Sequence, residues 1–189
     1  MLIGNKDEFA IGYEIVSRKD RVTALCMYVN RKNILEFKVD GERYTVTWNL
    51  DDLVTWLEEF AMKEQDEPFP YEVKGATAAE KDSYAREYDS DSDAEFESYY
   101  ERLNEWVYVH TWKHASAGGT IPNVYFRKIG HEVEISWDNN DVNEVVTFLE
   151  KDGSVRIDAD KFKEIIWALA TSYKAEWSGA SMTAEKKYC

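Results

Sequence analysis

Two histidines four residues apart, His110 and His114, are the residues whose types and spacing point most directly to chemistry. They lie in the segment Val-His-Thr-Trp-Lys-His, and on an α-helix this spacing places both imidazoles on one side, where they can ligate zinc. The metalloprotease form of this pattern needs a glutamate beside the first histidine, and Thr111 occupies that position. No third ligand is evident, and a histidine at a helix C-terminus also suits the helix dipole. We therefore predict no bound metal and keep a metal-dependent enzyme built on the two histidines as an alternative.

The motifs of other enzyme classes are missing from the sequence. The segment Gly118-Gly119-Thr120 lacks the spaced glycines and the Lys-Ser/Thr pair of a phosphate-binding loop. No nucleophile motif and no dinucleotide fingerprint occur, and the carboxylates are too numerous for any one pair to indicate acid–base catalysis. The sequence therefore predicts a protein that is not an enzyme and that uses no cofactor.

Charge narrows the choice of partners. The chain carries 37 acidic and 23 basic residues, for a formal net charge of −14. Phosphate backbones and anionic lipid surfaces repel such a chain, so we expect neither direct nucleic-acid binding nor membrane binding. The sequence begins without a signal-peptide pattern, and its longest apolar run, Ile165–Ala170, is too short to span a bilayer. We therefore expect a cytoplasmic protein, in which net charge also maintains solubility.

Most of the negative charge lies in one quarter of the chain. From Leu57 to Glu105 there are sixteen acidic residues against five basic ones, which leaves a net charge of −11 in this segment. Aromatic side chains are interleaved with the carboxylates, a combination that suits a basic protein surface. The residues that we predict to bind the partner are Asp89, Asp91, Asp93, Glu95, Glu97, Tyr88 and Tyr99. The alternative is a solvated flap whose aromatic rings fold onto the core.

These observations favour a non-enzymatic binding or regulatory protein that acts on a basic partner surface. An inhibitor or immunity-type factor fits this description, and small acidic proteins without catalytic motifs are typical bacterial or phage accessory proteins. A second hypothesis is nucleic-acid mimicry, in which carboxylates spaced like phosphates occupy a DNA-binding channel. Duplex DNA carries about one charge per 1.7 Å of axis, so a mimic needs an extended and rigid row of carboxylates.

Strand patterns dominate two stretches of the chain, at about 9–48 and 124–157. Residues 9–17 alternate, whereas residues 22–29 are apolar on both faces, as in a central strand. Alternating runs on either side of Asp40-Gly41 predict a β-hairpin, and a second hairpin is predicted around Gly130. Two further strands are predicted, at Val145–Leu149 and Val155–Ile157, with Asp152-Gly153 as the turn between them.

Helical patterns alternate with these strands. One helix is predicted from Asn49 or Asp51, a second from Glu95 with Asp93 as its N-cap and Gly118-Gly119 as its end, and a third from Asp158 or Asp160. The apolar stripe of the last helix is Phe162, Ile165, Ile166, Leu169, Ala170 and Tyr173. Residues 63–94 show no sustained period and are predicted to form an acidic, partly mobile surface excursion. Residues 178–189 are predicted to be a frayed tail.

The two hairpins also share residues at a constant offset, over 37–52 and 126–141. Phe37, Gly41, Trp48 and Asp52 align with Phe126, Gly130, Trp137 and Asp141. This match predicts an internal duplication, with halves at about 1–63 and 95–177 and with Trp48 and Trp137 at equivalent, largely buried positions. Chance likeness between two alternating hairpins is the alternative. The expected fold is a single α+β domain over 1–189, built of mainly antiparallel hairpins and about three helices.

Overall fold

The structure is a computed structural model that describes residues 1–63, 66–116, 121–140 and 145–184. Its strands lie at Leu2–Asn5 (β1), Phe9–Ser17 (β2), Val22–Val29 (β3), Lys32–Asn33 (β4), Glu36–Val39 (β5), Glu42–Thr45 (β6), Thr47–Trp48 (β7), Val124–Ile129 (β8), Glu132–Asp138 (β9), Thr147–Phe148 (β10) and Asp152–Asp158 (β11). Its α-helices lie at Asp51–Lys63 (α1), Ala78–Ala85 (α2), Asp93–His110 (α3) and Ala159–Ala184 (α4), and a 3₁₀ turn lies at Lys113–Ser116. The strands pair antiparallel, which confirms the predicted α+β class.

The strands form three sheets. The first has the order β1-β2-β3-β4, with β7 also paired to β3, so β3 is a central strand as predicted. The second has the order β10-β5-β6, and the third has the order β11-β9-β8. The predicted hairpin at Asp40-Gly41 is confirmed, because these residues connect β5 to β6 with φ angles of 51° and 87°. Positive φ at both positions is the geometry of a two-residue hairpin turn.

Helices α1 and α4 bury their apolar stripes against each other and against the strands. The predicted stripe of α4 is confirmed, since all six of its residues are buried. Phe162 lies 5.8 Å from Phe9 between ring centroids, and Tyr173 meets Tyr13 edge-on at 5.4 Å. The main core therefore joins the first sheet, the third sheet and both helices in one buried cluster.

Replacing Leu169 by alanine tests this packing. Leu169 is 1% exposed, so Leu169→Ala leaves a cavity and is expected to lower the free energy of unfolding by about 2–5 kcal/mol. Glu164→Ala, at an exposed position on the same helix, is the control and is expected to change it by less than about 0.5 kcal/mol. Urea unfolding followed by tryptophan fluorescence measures both. Equal unfolding midpoints for the two variants would contradict the packing of α4.

The acidic segment departs from its prediction. Instead of an irregular excursion throughout, it contains α2, which begins with a capping box formed by Thr77 and Glu80. It also contributes Phe69 and three alanines to a second buried cluster, which further contains Leu103 and Trp106 of α3 and Tyr125 of β8. The N-cap of α3 is Ser92 rather than Asp93, because the Ser92 hydroxyl accepts a hydrogen bond from the Glu95 amide.

The predicted duplication is not confirmed, because the two hairpins differ in register. Phe37 pairs with Tyr44, whereas Phe126 pairs with Ile135, which the constant offset equates with Val46. The second turn consists of residues 130–131 instead of the offset equivalents of 40–41, which are 129–130. The match in sequence therefore does not correspond to a match in strand pairing.

The prediction that the two tryptophans are equivalent is wrong. Trp48 pairs with Thr23 of the first sheet and is 44% exposed. Trp137 pairs with Val124 within its own hairpin and is 5% exposed. The rest of the alignment, at Asp141, lies outside the described residues.

The predicted hairpin turn at Asp152-Gly153 is also wrong. Both residues lie inside β11, which pairs with β9 and not with β10. A Cβ atom added to Gly153 would come within 2.4 Å of the Trp137 ring. This glycine therefore makes room for a close indole contact rather than for a turn. Helix α3 ends at His110, and the glycines predicted to end it, at 118–119, lie outside the described residues, as do residues 185–189 beyond α4.

Candidate functional site

The five predicted acidic residues are all exposed and lie within nine residues of each other at the start of α3. Asp89 and Asp91 lie in the turn before the helix, and Asp93, Glu95 and Glu97 lie in its first turns. Negative charge at this end complements the helix dipole. Within the described parts of the chain, none of these five carboxylates takes part in an ion pair. Their charge is therefore available to a partner.

Local hydrogen bonds order the turn that carries these carboxylates. The Ser90 hydroxyl donates to Glu95 Oε2 over 3.1 Å, and the Ser92 amide donates to the Ser90 hydroxyl oxygen over 3.2 Å. The Ser90 amide donates to Asp89 Oδ1 over 2.9 Å. Serine and aspartate in this spacing favour such turns, because their short side chains bond nearby backbone amides.

A stack of three tyrosines lies beside the acidic residues. Tyr99 is sandwiched between Tyr88 and Tyr71, with ring centroids 3.9 Å and 4.0 Å away and rings inclined by only 15° and 13°. The Tyr71 hydroxyl donates to the Tyr99 carbonyl over 2.9 Å, and the Arg102 guanidinium lies 5.6 Å from the Tyr71 ring centroid. The structure therefore brings the predicted Tyr88 and Tyr99 together and adds Tyr71, which the sequence analysis did not place in the site.

Tyr100, next to the stack, also holds the acidic turn against α3. The Tyr100 hydroxyl lies 2.9 Å from the Arg86 carbonyl oxygen and 3.2 Å from that of Tyr88. Burial, followed by the neighbouring hydroxyls of Tyr71 and Tyr100, raises the pKa of Tyr99 above its ordinary value. The phenol is therefore neutral at physiological pH, and the stack offers flat, uncharged contact area next to unpaired carboxylates.

A buried polar network attaches α2 to the third sheet. Glu134 of β9 is 2% exposed, and its carboxylate accepts a hydrogen bond from the Ala78 amide over 2.7 Å and another from Arg127 over 2.8 Å. The Ser136 hydroxyl accepts from the Ala79 amide over 3.2 Å. Side chains of β9 therefore satisfy two of the free amides at the helix N-terminus, and this arrangement fixes where α2 lies.

A second buried carboxylate strengthens the same attachment. Asp82 of α2 is 4% exposed, and its Oδ2 atom accepts from the Tyr125 hydroxyl over 2.7 Å and from Arg86 Nε over 2.9 Å. Burial and the adjacent carboxylate raise the pKa of Tyr125, which keeps this phenol protonated as the donor. This network was not among the predictions, because its members are far apart in the sequence. Its available signal was the capping-box pattern at Thr77 and Glu80.

The two histidines do not form the arrangement that zinc ligation on one helix requires. Helix α3 ends at His110, and His114 lies in the 3₁₀ turn that follows. His110 is buried, stacks on Trp106 at 3.9 Å and donates from Nδ1 to the Trp106 carbonyl oxygen, and burial lowers its pKa. His114 is exposed and stacks on Tyr108 at 3.9 Å. In the described parts of the chain, no three metal-binding side chains gather into a group that could hold a metal ion.

Comparison with known proteins places the chain in a family. A sequence model of DUF5984, described as a family of unknown function, matches residues 23–176. Because the match covers most of the chain, the protein belongs to this family. No curated protein matches the sequence.

One solved structure superposes on most of the chain. The crystal structure of CdiI from Burkholderia dolosa AUO158 superposes with a TM-score of 0.49 and 13% sequence identity, over 91% of this chain and 99% of that one. A likeness at this level carries no argument about function. Among the described helices, none combines the length and the apolar character that a membrane crossing requires.

Proposed function

We propose that the chain is a non-enzymatic binding protein of the cytoplasm, an inhibitor or immunity-type factor that binds a protein partner with a basic surface. One observation carries this proposal: five exposed carboxylates without ion pairs in the described chain lie beside a stack of three tyrosines. Unpaired carboxylates attract a basic surface and speed encounter. Tyrosine adds contact area at a low cost in conformational entropy.

This proposal is supported by the way in which the backbone that carries the carboxylates is held in place. Buried hydrogen bonds from Glu134 and Asp82 hold α2 in place, and ring stacking fixes the turn that follows α2 against α3. Like charges held this close repel each other, so their placement does not favour folding by itself. A complementary partner compensates for that repulsion, as the proposal requires.

Nucleic-acid mimicry finds less support. On α3 the exposed carboxylates Glu97, Glu101 and Glu105 follow each other every four residues, which corresponds to about 6 Å of helix axis per charge. Duplex DNA carries about one charge per 1.7 Å. This row of carboxylates is therefore about 3.5 times sparser than the phosphates of both strands together, and about 1.8 times sparser than those of one strand.

Partner capture from the source cell tests the proposal. The test variant converts the five site carboxylates to their amides: Asp89, Asp91, Asp93, Glu95 and Glu97. The control variant does the same at five exposed carboxylates elsewhere and so has the same net charge: Glu14, Asp40, Glu42, Asp152 and Glu164. We expect the wild type and the control to retain a basic protein that the test variant loses.

Inhibition is a separate part of the same test. The activity of the captured protein is expected to fall when wild-type chain is added and to stay unchanged with the test variant. A partner retained equally by all three chains would contradict the acidic site. If the partner is captured but its activity does not change, the chain is a binding protein, and the inhibitor role is contradicted.

A further inference from the structure

An apolar pocket lies away from the residues of the acidic site. It has a volume of about 360 Å³ and is bounded by the β5–β6 hairpin, by β7 and the start of α1, by Ala115 of the 3₁₀ turn, and by Ile121. Aliphatic side chains such as Val46, Leu50 and Leu53 line its inner part and are themselves buried.

Aromatic rings form much of the pocket wall. Phe37, Tyr44 and Trp48 line it, and the rings of Phe37 and Tyr44 stack with centroids 6.0 Å apart. Tyr44 is 50% exposed and Trp48 is 44% exposed, although the strand pairs Phe37–Tyr44 and Thr23–Trp48 hold their backbones in place. The side chains of Tyr44 and Trp48 are thus held in exposed positions in the wall of the pocket and do not fill it.

The chemistry of the lining restricts what can bind. None of the described side chains that line the pocket carries a formal charge, so a charged ligand would lose its hydration without gaining a counter-charge. Polar groups lie among the lining residues. The Tyr44 hydroxyl and the Asn49 amide nitrogen have no hydrogen-bond partner among the described residues. They can bind one polar atom of an otherwise apolar molecule.

The volume indicates the size of the ligand. A dry protein cavity of roughly 150 Å³ accommodates one benzene molecule, so a pocket of about 360 Å³ has room for two fused rings. Ligand pockets of roughly 300–1,000 Å³ with apolar and aromatic walls and few polar groups are typical of small-molecule sites.

We propose that this pocket binds an uncharged aromatic molecule of about two fused rings that bears a single hydrogen-bonding group. The ligand inserts its rings between the aromatic wall and the buried aliphatic side chains. A donor group on the ligand, such as the N–H of indole, bonds to the Tyr44 hydroxyl oxygen, whereas an acceptor group bonds to the Asn49 amide nitrogen. This inference is independent of the acidic site and of the partner that binds there.

Titration calorimetry with indole tests the proposal, because indole has two fused rings and one N–H donor. We expect saturable one-site binding with a dissociation constant of about 1 mM or tighter. Indole-3-acetate, which adds a carboxylate, is expected to bind at least about tenfold more weakly, because the pocket has no cation for it.

Two tryptophan variants assign the binding to the pocket. Trp48→Ala removes part of the wall and is expected to weaken indole binding about tenfold. Trp167→Ala, on α4 outside the pocket and with 47% exposure, is the matched control and should change it less than about twofold. A thermal unfolding transition like that of the wild type shows that each variant is folded. Absence of saturable indole binding by the wild type would overturn the proposal, as would equal losses in the two variants.

Discussion

Glu134→Ala is expected to lower the free energy of unfolding by about 3–5 kcal/mol, since it breaks a buried ion pair by removing one partner. Arg127 is only 9% exposed, and the Glu134 carboxylate is its ion-pair partner. The substitution leaves that guanidinium buried without a counter-charge. It also removes the acceptor for the Ala78 amide at the start of α2.

The matched control lies on the same strand. Glu132 faces Arg156 at 3.7 Å, and both side chains are about half exposed. Glu132→Ala is therefore expected to change the free energy of unfolding by less than about 1 kcal/mol. Urea unfolding measures both variants, and native-state hydrogen exchange of the α2 amides reports whether the helix has detached.

A double variant distinguishes two causes of the lost stability, the unpaired charge of Arg127 and the lost hydrogen bond from the Ala78 amide to Glu134. Replacing Arg127 and Glu134 together by leucine removes both charges, and such replacements are often neutral or stabilising. We expect the double variant to have a higher free energy of unfolding than Glu134→Ala. The amide hydrogens of α2 should still exchange faster than in the wild type. A loss below about 1 kcal/mol for Glu134→Ala would contradict the role assigned to the ion pair.

The elements that were predicted correctly are those whose signal is local. The stripe of α4 and the turn at Asp40-Gly41 depend on residues close together in sequence, and both are found as predicted. Helix α2 was missed because it is short and packs partly through polar contacts. Its N-terminus meets Glu134 and Ser136, which are distant in sequence, so no apolar period indicates it.

The same distinction applies to the candidate site. Asp89–Glu97 lie together in the structure because one turn and one helix start hold them. Tyr71 is 28 residues from Tyr99, and no local pattern connects them. At Gly153 a local signal led to a wrong prediction. A glycine after an aspartate is typical of a turn, whereas here it accommodates the ring of Trp137 from another strand.

Amidation of the five site carboxylates is expected to have its largest effect on the rate of association with the partner. Electrostatic steering raises association rates from about 10⁵–10⁶ to about 10⁸–10⁹ M⁻¹s⁻¹ at low salt. We expect the variant at Asp89, Asp91, Asp93, Glu95 and Glu97 to associate about tenfold to a hundredfold more slowly. Stability should change by less than about 1 kcal/mol, because these side chains are exposed and form no ion pairs in the described chain. The lost interaction of Asp93 and Glu95 with the helix dipole is offset by the relieved repulsion between the carboxylates. The charge-matched control should retain most of the wild-type rate, because its carboxylates lie elsewhere.

The measurement that tests the acidic site most directly is the salt dependence of this association rate by stopped flow. It compares wild type, test variant and control at about 10 mM and about 150 mM ionic strength, where the Debye length falls from about 30 Å to about 8 Å. Our account predicts a steep fall in rate with salt for wild type and control, and a nearly flat dependence for the test variant. Equal rates and equal salt slopes in all three chains would contradict it and would move the search for the binding face to the two hairpins.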